Sequence, residues 1–446
     1  MNIMDKKYML LQIQEMIFKK NIVSIIDLLC RYIEEDDTDT DIINSLIYIL
    51  RKGIGSDFIK QKIIDILKKY TLHSNKIKAK NIFLSELEIL EEKYVLQSMP
   101  RHITVELLTK CNLKCVMCGF SDIKNKYKYS IISDEFISFI RNNIPYFERI
   151  TWQGGEPFLY PKIYELIYFA IEKNIYQQVS TNLLLVDENK LDLLCDSKLT
   201  LFISIDGVDK ETYEKIRIDG SFDSLIRKLD VIKKYKKRNN SFKLVMAVVL
   251  LSLNYHQIDK MIKFAIEYSF DEITFQEYIN VNNNKFNLYI EKDKLIEVKR
   301  KLVMYKNLYT EKKLPIIVNT SLNLTGITCV GKEYNVAKDV IDDKKYIEKN
   351  FDNNDSSIFI NITNNYDMKS KMFCYAPWTN LCLYTKDEIK FTCSSVSVIY
   401  DKIKKEIWNN DFFVNYRKLL LSNNLSLCVK DCSDKGDQGS SIKLGI

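Results

Sequence analysis

The sequence predicts an α/β fold: a partial (βα)6 barrel, with an all-helical N-terminal domain before it and a small cysteine-bearing extension after it. Three observations carry this. Apolar residues recur at helical spacing through residues 1–98. After Pro100, short apolar runs alternate with amphipathic stretches, as in βα units on a parallel sheet. From Phe373 onward, cysteines return at wide spacing.

The N-terminal pattern is strongest in Met9–Ile33, Ile42–Leu50, Phe58–Leu67 and Ile82–Leu96. Gly53, Gly55 and Ser56 punctuate it, and Ser56 or Asp57 is placed to cap the third helix. Stacked helical hairpins are expected, forming a packing domain without chemistry of its own.

The barrel is expected over residues 99–330. Its strands read as Ile103–Thr109, Arg149–Gln153, Gln177–Thr181, Leu199–Ile205, Lys243–Leu251 and Glu272–Phe275. Helical stretches at Ile163–Glu172, Glu188–Cys195, Phe222–Tyr235 and His256–Tyr268 separate them. An active site in such a barrel lies at the C-terminal ends of the strands. Residues 331–372 are polar and rich in Asn and Asp, as in a linker; 373–433 form the cysteine-bearing extension, and 434–446 read as a disordered tail.

A chain of 446 residues suits two or three domains. The net charge of +7 is spread along the chain without a dense Lys/Arg block, which argues against a nucleic-acid partner. Met1–Lys7 lack an apolar signal core, and no apolar run reaches the ~18 residues of a membrane span. A soluble, cytoplasmic protein is expected, with no membrane contact. Its eleven cysteines are then thiols or metal ligands rather than a disulfide framework. With only three histidines, a His-based zinc site is hard to build.

Cys111, Cys115 and Cys118 fall within eight residues just after the first strand. A loop can wrap three thiolates around one cluster, whereas a helix would scatter them. Soft thiolates select iron–sulfur clusters or zinc. A [4Fe–4S] cluster takes four ligands, and no fourth cysteine is nearby, so one iron would stay open. Taken alone, the loop fits equally three reduced cysteines or zinc with a distant ligand. Gly154, Gly155, Glu156 and Pro157 end the second strand. The glycines allow close backbone approach, and Glu156 offers a carboxylate to an ammonium group. Alone, this too could be an ordinary strand-to-helix turn.

Together these motifs resemble the radical S-adenosylmethionine (SAM) superfamily. The CxxxCxxC loop matches at Cys111, Cys115 and Cys118, and the GGEP motif at Gly154–Pro157. Ser180–Asn182 then ends the third strand, Ile203–Gly207 the fourth, with Arg217 and Asn254 beyond. The resemblance covers about residues 100–280. It implies that the three cysteines hold a [4Fe–4S] cluster whose open iron chelates S-adenosylmethionine. It further implies that Glu156 and the Gly154–Gly155 backbone receive the amino group, Ser204 the ribose and Arg217 the carboxylate. Asn182 and Asp206 order the pocket in this reading, or serve as a helix cap and a turn residue. An electron donor such as flavodoxin or ferredoxin would reduce the cluster. The sulfonium C–S bond then breaks, and a 5′-deoxyadenosyl radical takes a hydrogen atom from the substrate.

The C-terminal region resembles the SPASM or shorter twitch extension of such enzymes. Cys374 opens a CxxPW stretch, and Cys428 and Cys432 close the region. With Cys393 they suffice for one auxiliary [4Fe–4S] cluster. The full SPASM pattern has about seven cysteines and a central CxxC, and here it is incomplete. A Cys₄ zinc site or a cluster-free fold are the alternatives. Cys382 reads as core, Cys329 as a substitute ligand, and Cys30 and Cys195 as small core residues.

The resemblance implies hydrogen abstraction from a peptide or protein substrate. The alternatives are a radical dehydrogenase or epimerase of a small molecule such as a sugar derivative, and a non-enzymatic iron–sulfur or zinc protein. Glu277 and Tyr278, past the sixth strand, are open between pocket and rim.

Overall fold

The structure is a computed structural model. It describes residues 22–35, 43, 57–73, 76–119, 129–195, 198–238, 242–280, 287–311, 314–322, 324, 358–359, 376–390, 398–399, 407–422, 424 and 443–444. Contacts divide the chain into two compact units. One comprises Met1–Thr104, Asp134–Arg149 and Asn353–Ile446, the other Val105–Ser133 and Ile150–Asp352.

The second unit is the α/β one. Its strands are β1 (His102–Glu106, whose last residues open the unit), β2 (Arg149–Gln153), β3 (Tyr176–Thr181), β4 (Leu199–Ser204), β5 (Lys243–Leu250), β6 (Glu272–Glu277) and β7 (Ile317–Thr320). They lie side by side in sequence order, and every pair from β3 to β7 is parallel. The expected α/β fold with a parallel sheet of this type is therefore present. A strand beyond the six expected extends it: β7 follows the helix Lys292–Thr310 and pairs in parallel with β6, Ile317 opposite Glu272. Only four residues long, β7 has too little alternation to stand out in the sequence.

Burial alternates strictly along β3 and β4. Val179, Leu201 and Ile203 are fully buried, while Gln178, Ser180, Phe202 and Ser204 point to the opposite, partly open face. This period of two places the polar residues at the strand ends on one side of the sheet. The expected helix Glu188–Cys195 is shorter than its pattern suggested. A 3₁₀ turn at Glu188–Lys190 leads into a single α turn, Leu191–Leu194.

In the first unit, helices span Ile22–Glu35, Asp57–His73 and Ile77–Leu90. Tyr70 stacks on Phe83 at 5.0 Å, and its hydroxyl donates to the Cys30 carbonyl at 2.8 Å. The last helix begins five residues before the expected Ile82 and ends before Glu91. Residues 91–100 run as an irregular segment, tied down by the C-terminal part of the same unit. There β8 (Asn380–Tyr384), β9 (Glu388–Lys390) and β10 (Val398–Ile399) form an antiparallel meander, and a helix covers Asp411–Leu421. Arg417 on this helix is wholly buried. It donates to the carbonyls of Tyr94, Pro377 and Trp408 and to Asn409, and lies 4.6 Å over the Trp408 ring. Trp378 Nε1 reaches Lys93 O at 2.7 Å, and Trp408 Nε1 reaches Ser98 O at 2.9 Å. The N-terminal segment thus supplies backbone acceptors to buried C-terminal side chains. Cys382 is buried in β8, as a core residue would be. Arg101, also buried, pairs with both Glu86 and Glu148.

Most of 331–372 and all of Cys329, Cys374, Cys393, Cys428 and Cys432 lie outside the described residues, as does the expected helix Ile42–Leu50 apart from Ile43. No described helix is long and apolar enough to cross a membrane.

Candidate active site at the C-terminal ends of the strands

The loop after β1 carries Cys111, Cys115 and Cys118. Backbone bonds fasten it to the segment around Arg217: Lys114 N donates to Ile218 O and Val116 N to Ile216 O, each at 2.9 Å. Within the loop, Cys118 N donates to Cys115 O at 3.1 Å. Cys115 is buried; Cys111 and Cys118 are partly open. Among the described residues, no three His, Cys, Asp or Glu side chains converge on a single-ion site. Three thiolates around a four-iron cube stand farther apart than three around one zinc.

The two glycines after β2 are demanded by this loop. Gly155 N donates to Leu108 O at 2.7 Å, and Glu156 N to Lys110 O at 2.9 Å. A Cβ on Gly154 would strike Leu108 O, and one on Gly155 would strike Lys110 O. Gly154 also has φ +137°, open to glycine but not to other residues. The glycines, expected to let backbone groups approach a ligand closely, are packed here against the protein's own backbone immediately before Cys111.

Glu156 is almost wholly buried, and its carboxylate is fully engaged. Oε1 accepts from Thr181 Oγ1 at 2.7 Å and from Phe158 N at 3.2 Å; Oε2 accepts from Asn182 N at 2.8 Å. Burial pushes its pKa up, while these hydrogen bonds pull the other way. Asn182, fixed by Glu156, turns its side-chain amide onto Asn112 Oδ1 at 2.8 Å and lies 4.0 Å from Cys111 Sγ. Ser204 ends β4, half-buried, level with Ala247 on β5 and Thr274 on β6.

Asp206, just past β4, and Arg217, at the end of the helix Lys210–Ile216 that follows, form a buried ion pair at 2.6 Å. Arg217 Nη1 also approaches Cys115 Sγ at 3.8 Å. Burial works against the guanidinium's charge, but Asp206 and Cys115 outweigh it and hold Arg217 protonated. Burial pushes the Cys115 thiol up to about 12, with Arg217 opposing. Cys111 is raised for the same first reason. Tyr213, fully buried one helical turn before Arg217, was not singled out by sequence reasoning; its i,i+4 spacing to Arg217 was the available signal. Its hydroxyl and Arg217 Nε are buried without a hydrogen-bond partner. Tyr278 packs with Ile216, Leu251 and Leu288 in a buried cluster that also receives Val116 and Met117, while Glu277 is exposed on the rim.

Three soft thiols on one loop, a guanidinium beside one of them and two buried donors without partners fit an iron–sulfur cluster with a polar ligand. The sequence comparison points the same way: residues 105–265 match the profile of the Radical SAM superfamily. Over this region, the chain is similar to that superfamily.

The radical SAM region is similar to two curated relatives. It is 31% identical over 188 residues to a cysteine-type anaerobic sulfatase-maturating enzyme of Clostridium perfringens, covering 38% of this chain and 48% of that protein. It is 28% identical over 174 residues to mycofactocin maturase MftC of Mycolicibacterium smegmatis, covering 38% and 42%. The chain thus matches less than half the length of either. The fold is similar to Streptococcus suis SuiB in its S-adenosylmethionine-bound crystal structure. That match has a TM-score of 0.52 at 16% identity and covers 92% of this chain and 83% of SuiB. The cysteine loop, the GGEP turn, Asn182 and Ser204 all fall at or just beyond the C-terminal ends of the strands, and Arg217 reaches the loop from the end of the helix that follows β4. The four C-terminal cysteines expected to hold an auxiliary cluster are outside the described residues.

Proposed function

We propose that this chain is a radical SAM enzyme that abstracts hydrogen from a peptide or protein. The observation that carries the reading is the packing of the three-cysteine loop against Gly154–Gly155, Asn182 and Arg217 at one end of a parallel sheet. When bound, a [4Fe–4S] cluster supplies one electron to the sulfonium of S-adenosylmethionine, giving a 5′-deoxyadenosyl radical that takes hydrogen from the substrate.

The chain's own residues prepare that pocket. Cys111, Cys115 and Cys118 would ligate three irons. Glu156 locks the ends of β2 and β3 and aims Asn182 at the loop. Ser204, half-buried at the end of β4, would contact the ribose, and Gly154–Gly155 keep the loop close. Val116 and Met117, in the loop itself, pack against the buried cluster of Ile216, Leu251, Tyr278 and Leu288 and so seat the loop. Cys374, Cys393, Cys428 and Cys432 would hold one auxiliary cluster in a SPASM- or twitch-like extension.

A peptide substrate is supported by the names of the relatives, one a sulfatase-maturating enzyme and one a maturase. The test uses reconstituted, reduced full-length protein with S-adenosylmethionine. Extract from cells grown on deuterated amino acids is split into peptide and small-molecule fractions. Deuterium entering 5′-deoxyadenosine from the peptide fraction is expected. Transfer from the small-molecule fraction alone would replace this substrate class with a dehydrogenase or epimerase reaction.

A further inference from the structure

Arg217 faces Cys115 in an arrangement built from three elements. Its Nη1 approaches Cys115 Sγ at 3.8 Å, and its Nη2 pairs with Asp206 Oδ2 at 2.6 Å. Asp206 is fixed in turn. Its Oδ1 accepts from Val249 N at 2.7 Å, and Asn254 Nδ2 spans Asp206 O and Val249 O at 2.9 Å each. Asn254 Oδ1 accepts from Leu251 N at 2.8 Å. The guanidinium is thereby aimed from β5 through two buried side chains. The thiol and the guanidinium cannot drift apart, because Val116 N is bonded to Ile216 O on one side of Cys115 and Lys114 N to Ile218 O on the other. Asp206 has no exposed surface and Arg217 only 7%, so the contact is dry and little screened.

A hydrogen bond to a ligand thiolate withdraws electron density from it. The reduced cluster carries one more negative charge than the oxidised one, so such a bond favours the reduced form. We propose that Arg217, positioned by Asp206, hydrogen-bonds the cluster ligand Cys115 and raises the reduction potential of the radical SAM cluster. This rests on the proposed cluster on Cys111, Cys115 and Cys118. The step concerned is one-electron transfer from an external donor of the reduced flavin or iron–sulfur class. The donor loses one electron, the cluster gains it, and no bond or proton on the chain changes. Arg217 is a positioning residue here, acting on the cluster even when no S-adenosylmethionine is present.

The test is a potentiometric titration of the reconstituted full chain without S-adenosylmethionine, followed by electron paramagnetic resonance. The relevant signal is the one missing from the Cys111→Ala/Cys115→Ala/Cys118→Ala variant. Arg217→Gln removes the hydrogen bond and leaves the Asp206 charge, so its midpoint should move to more negative potential. An about tenfold fall in the reduced-to-oxidised ratio at fixed potential, or about 59 mV for one electron, is expected. Asp206→Asn/Arg217→Gln leaves no unpaired buried charge and so covers the case in which the single variant does not fold. It should show a smaller shift in the same direction. Variants that load the cluster and titrate at the wild-type midpoint would overturn the inference while leaving the cluster assignment intact. A wild-type protein with no cysteine-dependent signal would instead remove the cluster assignment, and this inference with it.

Discussion

The carboxylate of Glu156 accepts a hydrogen bond from the backbone N–H of Asn182 at 2.8 Å. Because Asn182 in turn reaches Asn112 inside the cysteine loop, the Glu156 side chain acts on the loop at one remove, while its backbone N–H holds Lys110 O directly. Glu156→Ala would strand Thr181 Oγ1, Asn182 N and Phe158 N in a buried pocket. Destabilisation of roughly 2–4 kcal/mol is expected before any ligand is added. Thermal unfolding of the ligand-free protein checks this. Glu156→Gln, which keeps one acceptor oxygen, should lose less. A Glu156→Ala variant as stable as wild type, yet unable to bind S-adenosylmethionine, would show that the residue serves the cofactor's amino group alone.

Gly155→Ala should displace the cysteine loop, since the new methyl would fall on Lys110 O, one residue before Cys111. Backbone cannot yield as a flexible side chain does, so a fold-retaining protein with reduced iron content is expected. Iron assay and circular dichroism on the same sample decide it; full iron loading would contradict the account.

The cysteine motif and the GGEP turn were legible because each packs its meaning into a few residues at fixed spacing. The six expected strands were legible from their apolar runs. What escaped depends on side-chain pairings that local spacing does not record. Nothing near Glu156 announces that Thr181 and Asn182 will consume its lone pairs, and nothing near Arg217 announces Asp206. β7 was too short to show its period. Helical periodicity alone set the last N-terminal helix at Ile82–Leu96, although residues 91–98 leave the helix to offer carbonyls to Trp378, Trp408 and Arg417.

Those carbonyls bear on truncation. Sequence reasoning places residues 1–98 outside the chemistry and suggests a chain starting near Met99. Such a chain would deprive Arg417 of Tyr94 O, Trp378 of Lys93 O and Trp408 of Ser98 O. Buried donors left without acceptors cost about 1–3 kcal/mol each. The shortened protein is expected to be poorly soluble, and Arg417→Ala in the full chain to lower the unfolding midpoint markedly. Size-exclusion chromatography of the shortened protein and thermal unfolding of Arg417→Ala settle the matter; a monodisperse shortened protein or an unchanged midpoint would contradict it.

His102 gives a pH dependence. Burial and the neighbouring Arg149 push its pKa down to about 3. In the unfolded chain it titrates near 6.5. A depressed folded value means stability present above about pH 6.5 and lost progressively as pH falls toward the folded value. The side chain keeps 32% exposure, which limits the effect to the order of 1 kcal/mol. Urea unfolding at pH 7 and pH 5 should show a larger loss in wild type than in His102→Gln. Equal losses would remove His102 as the cause.

The central claim is that Cys111, Cys115 and Cys118 hold the cluster that opens S-adenosylmethionine. The direct measurement is the 5′-deoxyadenosine formed by anaerobically reconstituted, dithionite-reduced protein, with iron counted on the same samples. Wild type should release 5′-deoxyadenosine and methionine slowly even without substrate. The Cys111→Ala/Cys115→Ala/Cys118→Ala variant should release none and keep only iron bound elsewhere. Undiminished product or full iron in that variant would contradict the account.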